Sequence, residues 1–211
     1  MLHGRRVALP IRLFARNWPA VWRDVSGRGG SRPELEIIRS KGKPRKLFDA
    51  WELREEFLRI RKDTELLAFL NKVGEFHVGV ESRRKSHYWE YQRLLSDMLV
   101  HTPERWGELR KRYSENAASW ANPETRNGLV ADLKFRLEDG VPITEIFVVG
   151  ALRGMVASVH IDHLSKVRFG ICQRVDCAKP FLVKSQHGQK WCDPNCGRVE
   201  SQRRKRQKRA E

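Results

Sequence analysis

Apolar residues recur at helical spacing through much of the middle of the chain. Leu47, Trp51 and Leu58 share one stripe between Leu47 and Arg61, and Leu66, Leu67, Phe69, Leu70 and Val73 follow an N-cap candidate at Asp63 or Thr64. A third helix is predicted over Ser82 to Val100, with Tyr88, Tyr91, Leu95 and Leu99 on its stripe, and Pro103 opens a fourth from Glu104 to Trp120. The aromatic residues on these stripes read as core. Two stretches before them, Val7 to Phe14 and Leu35 to Ile38, read as short strands, and Ser26 to Pro33 and Ser40 to Pro44 as loops. Val130, Leu133, Phe135 and Leu137 alternate in part, so Leu129 to Leu137 is predicted as a strand ended by Asp139-Gly140. Thr144 and Glu145 then read as the start of an apolar helix reaching about Leu164, the central buried helix, and Val167 to Ile171 as a short strand. The expected architecture is α+β: a helix-rich domain over residues 1–167, then a small module over residues 168–211, with no Gly/Ser or Pro linker between them.

That small module holds every cysteine of the chain. Cys172 and Cys177 are spaced as Cys-x4-Cys, fourteen residues follow, and Cys192 and Cys196 are spaced as Cys-x3-Cys. Two close pairs joined by a hairpin-length loop suit tetrahedral Zn²⁺ with four thiolates at about 2.3 Å. Two disulfides are the rival arrangement. The start of the chain, with His3, Arg5, Arg6 and Arg12 around a short apolar run broken by Pro10, is too charged for an export signal, so the thiols are expected to stay reduced in the cytoplasm. Phe181 to Val183 reads as a strand, Gly188 as a turn, and Lys190-Trp191 as the strand returning to Cys192. Asp193 and Pro194 then form an N-cap and first-turn pair that puts Cys196 in the first turn of a helix. Phe181 and Trp191 would supply the small apolar core of a treble-clef-like finger.

These residues resemble the CGNR zinc-finger family over about Arg168 to Arg209. The likeness lies in the Cys-x4-Cys knuckle, Phe181, the Lys190-Trp191-Cys192 lead-in, Cys196-Gly197 and the basic helix after it; Arg198 and Val199 stand where the family name has Asn and Arg. The resemblance implies a bacterial transcription regulator with a helical amino-terminal domain and a DNA-binding finger.

Charge makes a polyanionic partner the leading expectation. The chain carries a formal +16. Residues 1–46 hold 12 basic and 3 acidic side chains, residues 168–211 hold 12 and 4, and the segment between them is near neutral. The candidate contacts are Lys190, Arg198, Arg203, Arg204, Lys205, Arg206, Lys208 and Arg209, the last six of them on the run Glu200 to Arg209, which has no apolar residue and whose one acidic side chain is Glu200. Such a run is either a solvated tail or lies on something charged; a membrane partner is not expected, because an interfacial helix needs apolar residues opposite its cations. DNA is favoured, with RNA and an acidic protein docked by the finger as alternatives. The first domain is a possible receptor for a small ligand.

Enzyme chemistry is not expected. His160 and His163 stand at i and i+3 with Asp162 nearby but lack a third identified metal ligand, and His187 is at most a substitute for one cysteine. Gly27-Arg28-Gly29-Gly30 lacks the Lys-Ser/Thr of a phosphate loop, no Gly-x-Ser-x-Gly elbow occurs, and four metal-bound thiols leave no cysteine as a nucleophile.

Overall fold

The structure, a computed structural model, describes residues 11–25, 34–39, 46–74, 76, 84–113, 131–184 and 188–210. The expected loops at 26–33 and 40–44, residues 114–120 of the expected fourth helix, and His187 lie outside the described residues, and that helix is shorter than expected, ending at Arg110 before a turn over 111–113. The chain divides into two compact units, Met1–Tyr88 with Asn122–Ser158 and Trp89–Ala121 with Val159–Glu211. The fold is α+β.

The first unit is organised on a four-stranded sheet. Its strands are β1 (Ile11–Asn17), β4 (Lys46–Asp49), β5 (Ala131–Glu138) and β6 (Val141–Val149), in the order β4-β1-β6-β5. β1 runs antiparallel to β4 and parallel to β6, and β5 and β6 form an antiparallel hairpin. Helical segments α1 (Ala50–Arg59) and α2 (Asp63–Val73) follow β4 directly, and α5 (Ala151–Leu164) follows β6. A separate hairpin joins β2 (Ala20–Asp24) to β3 (Leu35–Arg39). β2 escaped the sequence pattern because it is held from outside itself: the Asn71 side chain accepts from Trp22 N at 2.8 Å and donates to Trp22 O at 3.1 Å, as a neighbouring strand would.

One expected helix is corrected. Residues 141–149 are strand, and only Ala151–Leu164 is helix. Asp139 (φ 52) and Gly140 (φ 78) form a tight two-residue turn with both residues left-handed, which returns the chain antiparallel to β5. Ile143, Glu145 and Phe147 are then buried on one face. β-branched residues in a nine-residue run favour the pleated strand, and Gly150 (φ 97) makes the break before the helix. The helix that remains is buried as expected, with Ala151, Leu152, Met155, Val156 and Val159 nearly inaccessible. Gly154 brings it against the sheet: a Cβ there would lie 2.7 Å from Ala15 Cβ. β5 is the sheet's edge, with Leu133, Phe135 and Leu137 largely exposed on one face and Lys134 and Arg136 on the other, charges that disfavour pairing with a further strand.

Two starts also moved. Lys46–Asp49 is strand, not the first turn of the helix predicted from Leu47, and the Asp49 carboxylate caps α1 by accepting from Trp51 N and Glu52 N, each at 2.9 Å. α2 is capped at Lys62 and not at Asp63 or Thr64; Glu65 reaches back to accept from Arg61 N at 2.8 Å.

The second unit contains most of α3 (Lys85–Val100), a 3₁₀ turn Pro103–Arg105 leading into α4 (Trp106–Arg110), the end of α5, and then β7 (Phe169–Ile171), β8 (Pro180–Leu182) and α6 (Pro194–Ala210). Trp106 is its hub. The indole N–H donates to Met98 O at 3.2 Å and His101 O at 3.1 Å, and the ring meets His160 edge-on at 4.6 Å and His163 at 5.1 Å. His163 Nε2 also lies 2.7 Å from Met98 O. Burial first, then His163, lowers the pKa of His160. These histidines pack and hydrogen-bond; among the described residues the cysteines form the sole metal-competent group.

Candidate metal centre and its basic helix

The finger is built by three short devices. β7 and β8 pair with Gly170 opposite Phe181 and Ile171 opposite Pro180, and the knuckle is the loop between them. Cys172 N donates to Lys179 O at 2.8 Å, and Cys177 N to Arg174 O at 2.9 Å, so backbone bonds bend the knuckle and aim its two thiols together. This corrects the expected hairpin: β8 pairs with the strand before the knuckle, not with Lys190-Trp191. The returning segment docks through Gln173 N, which donates to Lys190 O at 2.9 Å and brings Cys192 beside the knuckle.

The last thiol comes from α6, which starts where Asp193-Pro194 predicted. Asp193 Oδ1 accepts from Cys196 N at 2.8 Å, and that bond, the largest influence on it, lowers the pKa of the carboxyl. Cys196 therefore sits in the first helical turn.

The four sulfurs lie within 4.8 Å of one another, with Cys177 and Cys192 Sγ 3.7 Å apart and Cys192 and Cys196 Sγ 3.4 Å apart. Thiolates at about 2.3 Å from a tetrahedral ion stand about 3.8 Å apart, so one ion fits. No disulfide joins them. Burial, then hydrogen bonding with Cys196 and Asp193, pushes Cys192 far up, and burial, opposed by the bond with Cys192, shifts Cys196 to about 11. Cys172 moves down: its burial is outweighed by hydrogen bonds from the backbone at Cys192 and Arg174. Thiols crowded in this way share protons badly and bind a soft dication well. Arg174, paired to Asp176 at 2.8 Å, brings positive charge beside Cys177 and Cys196, a contribution that the cysteine spacing gave no sign of.

Packing around the sulfurs follows the expectation for Phe181 and Trp191. Cys172, Phe181 and Cys196 form the buried cluster, with Val183 and Trp191 against it. Gly197 has a steric reason: a Cβ there would lie 2.9 Å from Trp191 Cδ1. Gly197→Ala gains about 1 kcal/mol of helix propensity but overpacks the indole at about 1–3 kcal/mol, so a net loss of finger stability is expected, read as a lower chelator concentration for half-release of metal. Unchanged chelator resistance would show that the indole moves aside freely.

Along α6 the predicted contacts separate into groups. Arg198 is exposed, with Nη2 3.0 Å from Asn195 Oδ1. Glu200, only 2% exposed, holds Arg203 through two bonds of 2.9 and 3.0 Å and Arg204 through one of 3.3 Å. The Arg203 guanidinium, first among its partners, holds the Glu200 carboxyl below the usual range, so this clamp persists at neutral pH and is lost as pH falls through that lowered value. Arg204 also lies 6.0 Å from the Trp191 ring centre. Lys205, Arg206 and Arg209 are exposed with no ion pair to a described residue, and Lys190, outside the helix, is exposed as well. Lys208 lies in the helix; its side chain is outside the described residues. A lone acidic residue in a basic run gives no sign that Glu200 is buried. Its burial needs the fold: Glu200 follows Cys196 by one helical turn, the same side of α6 that the thiol occupies.

No family model, curated protein or solved structure matches the chain.

Among the described residues no helix is long and apolar enough to cross a membrane.

Proposed function

We propose that the protein is a zinc-dependent nucleic-acid-binding protein, with duplex DNA the favoured partner and transcription regulation the favoured role. The observation that carries the reading is the continuity of metal site and basic helix: Cys196 lies in the first turn of α6, so an ion held by the four thiols fixes the direction in which that helix projects its cations. Pre-aimed cations lose less entropy on meeting a phosphate backbone than a free basic tail does. The resemblance of residues 168–209 to the CGNR fingers supports the same reading. Zn²⁺ is the ion that a set of four thiolates with tetrahedral spacing selects, and its role is structural, since every ligand position is filled.

Competition at fixed salt tests the proposal. Labelled duplex DNA bound to the zinc-loaded protein is challenged with unlabelled duplex, structured RNA and an unrelated acidic protein. Duplex DNA is expected to displace best. Stronger displacement by the acidic protein would replace this reading with that of a protein-interaction finger, and by RNA with an RNA-binding one.

Arg198 is the side chain best placed to read bases, because it follows the metal-anchored first turn and is not tied to Glu200. Arg198→Ala is expected to cost about 1–3 kcal/mol on a preferred site and less on random duplex, by titration against both. Equal losses would make Arg198 a phosphate contact.

A further inference from the structure

A second set of chemistry-bearing residues lies in the first unit, on the sheet face opposite Leu13, Ala15 and Val148. Alternation along the strands puts Phe14 and Arg16 of β1, Glu145 and Phe147 of β6, and Lys134 and Arg136 of β5 on this face. Register sets Phe14 beside Phe147 and Lys134 beside Glu145. The two phenyl rings stack at 5.3 Å with planes 21° apart. With Lys46 and Leu47 of β4, these residues line an open cavity of about 470 Å³. That volume falls within the range of small-molecule sites, about 300–1,000 Å³.

Glu145 is the member that the fold does not explain. It is 5% exposed, and its Oε2 accepts no hydrogen bond; Arg136 Nε comes within 3.2 Å of it, close enough for an ion pair but not aligned for a bond. A buried carboxylate with an unfilled acceptor is costly unless a donor arrives. The rest of the lining limits what that donor is. Lys134 and Arg136 flank the carboxylate, so a bare cation is repelled. A bare anion meets Glu145. The Lys46 ammonium is already committed, to Asn71 O at 3.2 Å and Lys72 O at 2.6 Å. Arg16 reaches Asp132 at 2.7 Å and lies 4.2 Å from the Phe147 ring centre. Lys134 lies 5.2 Å from the same centre, and no described carboxylate forms an ion pair with it. A fitting ligand therefore combines N–H donors for Glu145, a planar ring for the paired phenyls, and an anionic group within reach of Lys134 and Arg136.

We propose that this cavity binds a nucleotide unit, the base donating to Glu145 and the phosphate held by Lys134 and Arg136. The same chemistry comes from a free nucleoside monophosphate or from one residue of a single strand. It is independent of the finger, since none of these residues belongs to α6.

Calorimetry on the full-length, zinc-loaded protein tests it, with the four nucleoside monophosphates, inorganic phosphate, tryptophan and single-stranded tetranucleotides as probes. At least one monophosphate or tetranucleotide is expected to saturate a single site. Lys134→Ala should weaken it about tenfold, the scale of one charge-assisted contact, and Glu145→Gln should change the order of base preference, because an amide both donates and accepts. Lys205→Ala with Arg206→Ala, on the finger helix, should leave this site untouched. Binding of tetranucleotides alone identifies the single strand as the source; equal binding of monophosphates identifies the free nucleotide. The proposal is overturned if no probe saturates by about 5 mM, if phosphate or tryptophan binds as well as the nucleotides, or if both variants bind like the parent. Lys134 is exposed, so its variant folds whether or not Glu145→Gln does, and far-ultraviolet circular dichroism checks both.

Discussion

Cys192→Ser is expected to cost the finger its metal and its fold while leaving the helical signal of the first unit largely intact. The parent protein should carry one zinc per chain by elemental analysis, and the variant far less than one after dialysis. The size of the effect follows from what else holds the finger. Structural zinc contributes apparent binding free energies of about 10–16 kcal/mol, whereas burying Phe181 and Trp191 contributes about 1.5–3 kcal/mol each. Two three-residue strands and the bonds from Cys172 N and Cys177 N cannot make up the difference. Loss of the ligand should thus appear as loss of protease resistance confined to residues after about Arg168. A folded protein without zinc, its four thiols all open to titration, would refute the metal assignment.

Removing the chain beyond Val199 should flatten the salt dependence of duplex binding. If Arg198 and the exposed part of α6 neutralise about four to five phosphates, log K falls with log salt at a slope of about −4, or about 0.9 per phosphate. Affinity then drops by two to three orders of magnitude, roughly, between 50 and 200 mM salt. The truncated protein should retain a slope near −1. Neutralising Lys205, Arg206 and Arg209 together should remove most of the slope on all sequences alike, since phosphate contacts carry no sequence information. The pair held by Glu200 behaves differently: Arg203 and Arg204 share one carboxylate, so their joint contribution is nearer one phosphate than two. An unchanged slope after truncation would move the binding surface elsewhere.

Much of the finger was legible because local chemistry builds it. Cysteine spacing implies the ion, and Asp193-Pro194 marks the helix start that delivers Cys196. Pairing was harder to read. The run Phe181 to Val183 looked ready to pair with Lys190-Trp191, but β8 found its partner across the knuckle, at Phe169–Ile171. In the first unit the helices were legible from their stripes, whereas residues 144–149 read as helix because a continuous apolar run fits a buried helix as well as a buried strand. The deciding signal was the Asp139-Gly140 turn. Neither Glu145 nor Glu200 announced its burial, since a carboxylate is placed inside a protein by partners remote in sequence or a helical turn away.

The parallel pairing of β1 with β6 also sets a timetable. β1 lies inside its sheet, with one neighbour at residues 46–49 and the other not reached until residues 144–149. During synthesis at about 5–20 residues per second, the antiparallel β1–β4 pair and the helices after it can form early, but one side of β1 waits several seconds or longer for its partner. Contacts this distant in sequence also slow refolding of the finished chain. The helices and the β2–β3 hairpin must therefore keep the early intermediate from aggregating through the open side of β1, and mutations in α1 or α2 should reduce soluble yield more than they reduce the stability of protein already folded.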